Sequence, residues 1–301
     1  LNIKQDTTNR YFSFFVTGLQ FMSNENALLS LLVEKIQNDT LVLPSLPEIA
    51  LRIRKMAEDP NVNLNQMADI ISHDPAMSAR MMKIANSAFL GRSVHVNSLH
   101  QAVTRIGLRY IKNIVTAMAV EQLFVSHSSL IKGMMSKVWQ DTLEVAAIAL
   151  AAMQLYNSNL KVSPVNFDTM TLAGLIHNIG ALPILTEAEK HLDQFGDKDF
   201  IAGCITDLAG GIGGSILRKW EFPDELIEVA EQWNTKLPHT DKVNYLDFIR
   251  IATIQKGHSK DKTEPRLALK PFADRGLITG VDFYRSPEFT VIYQDMKQLF
   301  V

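Results

Sequence analysis

One cysteine, Cys204, stands in a chain of 301 residues. Internal disulfides are therefore excluded, and so is a zinc site built from several thiolates. Cys204 lies in the apolar run FIAGCITDL, which predicts a small buried hydrophobe rather than a nucleophile, and so low a count fits a cytoplasmic protein. Basic charge is not in excess. Lys and Arg number 30 against 32 Asp and Glu, a formal net charge of -2. No basic footprint of a nucleic-acid partner is implied, and the charges read as a mixed, solvated surface. No segment reads as transmembrane. The longest apolar-rich run, VAAIALAAMQLY from Val145 to Tyr156, is about half the span that a bilayer needs. Its alanines predict a central helix packed on all sides. Also missing are a GxSxG nucleophile elbow and a GxxxxGK[ST] phosphate loop. The run AGGIGGSIL lacks the spacing and the preceding strand of a dinucleotide loop, so its small residues predict close helix packing. Period-two alternation is nearly absent, which leaves no pattern for strands.

What is present is helical periodicity. Hydrophobic residues make up 47% of the chain, enough for a continuous core. In LPSLPEIALRIRKMAEDP, Pro47 can open a helix with Ile49, Ile53 and Met56 on one face, and Asp59-Pro60 stops it. Asn63 is the expected N-cap of a short helix with Leu64, Met67, Ala68 and Ile71 inward. Asp74 caps the next, with Pro75 in its first turn. Ser98 opens LHQAVTRIG, which ends at Gly107. LRYIKNIVTAMAVEQLF is a longer helix, and another runs from about Met134 to Tyr156. Asp168 is the expected cap of TMTLAGLIHNIGAL. A polar segment, TEAEKHLDQFGDKD, separates this from FIAGCITDLAGGIGGSILRKWEFP. Further helices are expected over Asp224–Trp233, Val243–Gln255 and Phe289–Phe300, and KGHSKDKTEPR reads as a mobile surface loop. The first 21 residues carry no clear amphipathic pattern, and Met22 is a natural start. The fold class expected is all-α.

The eight histidines are His73, His95, His100, His127, His177, His191, His239 and His258. No two stand three or four apart, so no ligand pair can form on one helix face. His73-Asp74 is followed by Pro75, the context of a helix N-terminus. His177 lies in an apolar helix, where a hydrogen-bonded core imidazole is the common outcome.

Five landmarks occur in order: LPSLPEIALRI, IISHDPAMSARMMKIANSAFLG, SLHQAVTRIGLRYIKNIV, AGLIHNIGALPIL and GGSILRKWEFPDELIEVA. Together they resemble the HDOD family, the HD-related output domain of bacterial signalling proteins, over about residues 43–254. The most specific piece holds Asp74, Pro75, Asn86 and Ser87. Gly107, Gly174 to Gly180, and Trp220 with Pro223 follow. The resemblance implies an all-α fold related to the HD metal-dependent phosphohydrolases and a regulatory role, commonly without catalysis. The helix lengths along the chain suggest a division into an N-terminal tail (1–25), an N-terminal helical subdomain of short helices (26–125), an HD-like subdomain of longer helices (126–257) and a C-terminal extension (258–301).

In the parent superfamily a first His, a His-Asp pair and a later Asp hold the metal. Here Asp141 stands at the first position, His177 matches the pair's His, and Asn178 replaces its Asp. Asn offers one neutral amide oxygen and cannot bridge two cations. Further expected His positions show TDLAGG and Trp233-Asn234. The reading that follows is a non-catalytic module without a cofactor or bound metal. It acts through a signalling protein in trans, because the tails look too short for an attached receiver or cyclase. A small-molecule ligand is admitted in the vestigial pocket of Asp141, His177 and Asn178; nucleic acid and membrane are not expected as partners. The alternative is a phosphohydrolase acting on a nucleotide or cyclic dinucleotide with an unorthodox site of Asp141, His177, Asn178 and Asp207.

Overall fold

The computed structural model describes residues 27–38, 40–59, 62–87, 90, 94–195, 197–235, 242–260 and 263–300. The N-terminal tail, Met22 included, and His239 lie outside these. Among the described residues all regular structure is helical. The helices are α1 (Ala27–Gln37), α2 (Glu48–Glu58), α3 (Leu64–Ser72), α4 (Pro75–Ala85), α5 (Leu99–Ile106), α6 (Leu108–Glu121), α7 (Ser129–Ser158), α8 (Phe167–Ile176), α9 (Ala181–Lys190), the short α10 (Leu192–Phe195), α11 (Lys198–Lys219), α12 (Asp224–Gln232), α13 (Tyr245–Lys256), α14 (Pro265–Asp274) and α15 (Pro287–Gln298).

Local chemistry sets most of these boundaries. The Asn63 side chain accepts from the Gln66 N–H while the Gln66 side chain accepts from the Asn63 N–H, a reciprocal capping box. Asp74 accepts from Met77 N–H at 3.0 Å, with Pro75 in the first turn, and Ser98 accepts from Gln101 N–H. Gly107 has φ +85°, a backbone conformation that side-chain-bearing residues rarely take, so it separates α5 from α6.

Two expected boundaries are corrected. Asn166, not Asp168, caps α8 by accepting from Thr169 N–H at 3.0 Å. Asp168 is 1% exposed in the first turn, where its carboxylate accepts from Asn113 Nδ2 of α6 at 3.2 Å. The helix won by Asn166 leaves Asp168 pointing into the core as a cross-helix acceptor. The polar run TEAEK is also helical, as the second half of α9. Its Glu187 is buried and paired with Lys35 of α1 and with Lys190.

The 30-residue α7 is the axis of the molecule. Its run from Val145 to Met153 is buried on every side, as the alanines predicted, with α8, α9, α13 and α15 packed around it. Helices α2 to α6 form a second group, joined to the first where α6 packs on α8. One continuous apolar core runs through both. Two runs, 167–190 and 198–219, are long and apolar enough by composition to cross a membrane, which the reading of the sequence did not find. The most apolar 18-residue stretches of the two are 83% and 61% buried within the protein, so packing against neighbouring helices accounts for their apolarity.

Candidate functional site

His177 is the C-cap of α8, immediately before the turn that leads to α9. Two glycines let the surrounding helices close on that turn. A Cβ on Gly174 would stand 2.7 Å from Ala146 Cβ of α7, and one on Gly180 would stand 1.9 Å from Ala209 O of α11. The imidazole is therefore enclosed at 2% exposure. Its Nδ1 lies 2.6 Å from Gly174 O, so the hydrogen is placed on Nδ1 and the lone pair on Nε2. The Trp233 ring, at the end of α12, meets it edge-on at 5.1 Å between centroids. Burial, aided by the nearby His258, lowers the His177 pKa to about 4, although the bond to Gly174 opposes the shift. This is a neutral, hydrogen-bonded core histidine.

The other expected residues are dispersed around it. Asn178 is partly buried, and its Oδ1 is enclosed without a hydrogen-bond partner. Asp141, half-buried on α7, lies 3.6 Å from Lys137 Nζ and 3.7 Å from His258 Nε2. Asp207 on α11 lies 3.8 Å from Lys260 Nζ. His258 lies beside Asp141, and its electrostatic influence reaches His177.

His258 and Lys260 were not expected here, because KGHSKDKTEPR reads as a mobile loop. The structure instead ties residues 258–260 to the ends of α12 and α13. His258 N–H donates to Thr253 O at 2.8 Å, and Lys260 N–H donates to Asn234 O at 3.1 Å. Gly257 at the end of α13 is a local signal for the first bond, but Asn234, just beyond α12, and Asp207 of α11 lie far off in the sequence; Asp261 and Lys262 lie outside the described residues.

A metal of the phosphohydrolase type does not fit these residues. Among the described residues no three His, Cys, Asp or Glu side chains converge as a metal site. The residue beside His177 contributes a neutral amide oxygen. The carboxylates of Asp141 and Asp207 face ammonium and imidazole groups of the same chain. A small apolar concavity lies elsewhere: Arg80, Ile84, Ile114, Trp139, Phe167 and Phe300 line it with apolar neighbours, and its interior holds only about 30 Å³. None of the candidate residues borders it. Cys204 is buried, and burial together with Asp207 raises its pKa to about 12, so it has no thiolate for chemistry. The GGIGG run packs against α12, where a Cβ on Gly210 would meet Glu231 O at 2.6 Å.

Comparison with known proteins sets this geometry in its family. Residues 43–235 match the HDOD domain. The chain belongs to the HDOD family. A structure from Shewanella amazonensis SB2B, provisionally named a metal-dependent phosphohydrolase, is 41% identical, with 93% of this chain and 100% of that chain covered at a TM-score of 0.87. An HDOD domain protein of unknown function from Geobacter sulfurreducens shares the fold at 19% identity and a TM-score of 0.55, over 88% of this chain and 91% of that one. An uncharacterised protein of Treponema pallidum (strain Nichols) is 24% identical over 210 residues, 65% of this chain; the match spans only 38% of that protein's length.

The HDOD landmarks acquire physical roles. The Asn86 side chain donates to Val96 O at 3.0 Å and accepts from Val96 N–H at 2.8 Å, pinning the chain that enters α5. Ser87 Oγ donates to Ile84 O. Trp220 Nε1 donates to Pro44 O at 3.0 Å, and Arg54 donates to the Trp220 and Glu221 carbonyls while lying 4.3 Å over the Phe222 ring. Pro223 precedes α12 as its N-cap residue. The most specific HDOD residues thus join the two helical groups or shape their turns.

Proposed function

We propose that this HDOD protein is a non-catalytic signalling module that acts on a partner protein in trans through its helix surfaces. The observation that carries this reading is the Asn178 amide at the second position of the His-Asp pair. Its neutral oxygen cannot supply the anionic, bridging ligand on which a metal hydrolase depends. The altered neighbours support it, since Asp141 already faces Lys137 and the His258 imidazole, and Asp207 faces Lys260. The fold would then serve as a scaffold whose former metal position is a structural core.

The second reading is a metal-dependent phosphohydrolase acting on a nucleotide or cyclic dinucleotide. It draws on the 41% identity to the Shewanella amazonensis protein of that provisional name and on His258, which adds a second imidazole beside His177 and Asp141. The discriminating experiment is a phosphodiesterase assay with manganese on the wild type and on Asn178→Asp. The non-catalytic reading expects both to remain at background, because restoring one carboxylate leaves the remaining ligands missing. Manganese-dependent turnover by the wild type would establish the second reading.

A further inference from the structure

Asp141 and Asp207 are partly exposed, and each faces a basic group of the segment after α13. Helix α13 ends at Gly257, whose φ of +73° turns the chain back across the helix ends. The segment that follows is tied down by its backbone at two points, His258 N–H to Thr253 O and Lys260 N–H to Asn234 O. Asn234 is itself anchored, its Nδ2 donating to Thr206 O of α11 at 2.9 Å. This places Lys260 Nζ 3.2 Å from Asp207 O and 3.8 Å from Asp207 Oδ1. It also places His258 Nε2 3.7 Å from Asp141 Oδ2. We propose that Gly257–Lys260 is a closed lid beside His177, in which Lys260 and His258 stand against Asp207 and Asp141 in place of a divalent cation. The inference rests on the non-catalytic reading and names what closes that site.

Lys260 is partly buried, with desolvation lowering its pKa against the pull of Asp207, and Asp207 meets its ammonium with both a carboxylate and a carbonyl oxygen. A short segment held by two backbone bonds and these side-chain contacts is one that a partner or ligand can displace. Lys137, also against Asp141, stays on α7 and keeps that carboxylate neutralised when the lid lifts.

Hydrogen exchange followed by mass spectrometry on the full chain tests the proposal. Lys260→Ala and Asp207→Asn should each speed exchange over residues 257–260 by about tenfold or more, while amides of the α7 core at 145–153 stay as protected as in the wild type. Lys260→Arg, which keeps the charge, should stay near the wild-type rate. Lys260→Gln, with the charge lost and the polar chain kept, guards against a general packing defect in the alanine variant and should open the lid as well. Wild-type exchange in Lys260→Gln and Asp207→Asn, or equal acceleration in the α7 core, would overturn the lid. Manganese-dependent hydrolysis by the wild type would instead remove the non-catalytic reading, an outcome that the exchange rates do not touch.

Discussion

Burial fixes the protonation state of His177, and that makes the residue a source of pH dependence. Its pKa is about 4 in the folded protein and about 6.5 in an unfolded chain. The unfolded state therefore binds the proton first as the medium is acidified. The contribution is fully present above pH 6.5 and is lost as the pH falls from there to about 4, amounting to roughly 3 kcal/mol. Denaturant melts between pH 7 and 4 should show this loss, and His177→Gln should flatten it; parallel curves for the two proteins would contradict the assignment. Helix caps give a second prediction at this scale. Asp74→Ala and Asn166→Ala should each lower stability by about 1 kcal/mol, read as a fall in melting temperature. Caps of this kind were legible where Ser, Asn or Asp stood immediately before the apolar periodic run, as at Asn63, Asp74 and Ser98. Where Asn166 and Asp168 stood two residues apart, only the folded packing could decide which one faced the backbone and which one faced Asn113. The candidate residues Asp141, His177 and Asn178 could be named from motif spacing. His258 and Lys260 could not, because their partners come from α7, α11 and the end of α12.

Helix contacts explain why the small residues matter where they do. Gly180→Ala should cost about 2 kcal/mol or more, since its Cβ meets the Ala209 carbonyl at 1.9 Å and backbone must move. Gly203→Ala, inside α11 and with open space around its Cβ, should stabilise by up to about 1 kcal/mol. Thermal melts of the pair check both signs at once; equal effects would show that helix propensity, not close approach, governs these positions. Most helices could be read from their 3.6-residue apolar spacing. Two stretches could not. TEAEK is polar on its face, yet it continues α9 because Glu187 is buried and paired with Lys35 and Lys190. PRLALKPFAD contains an internal proline, Pro271, and still forms α14, opened by Glu264 accepting from Leu267 N–H at 3.2 Å.

The two helical groups share one apolar core and are joined by the Trp220–Pro44 bond and the Arg54 contacts. Unfolding should therefore be a single cooperative transition, with coincident midpoints by far-ultraviolet circular dichroism and tryptophan fluorescence; separated midpoints would mean that the halves fold independently. At the same scale stands the claim that this scaffold no longer assembles a metal-binding ligand set. Calorimetric titration of the purified, metal-free wild type with manganese tests it most directly. The account predicts no stoichiometric binding and no rise in melting temperature at millimolar metal. A one-to-one isotherm that disappears in His177→Gln would contradict it.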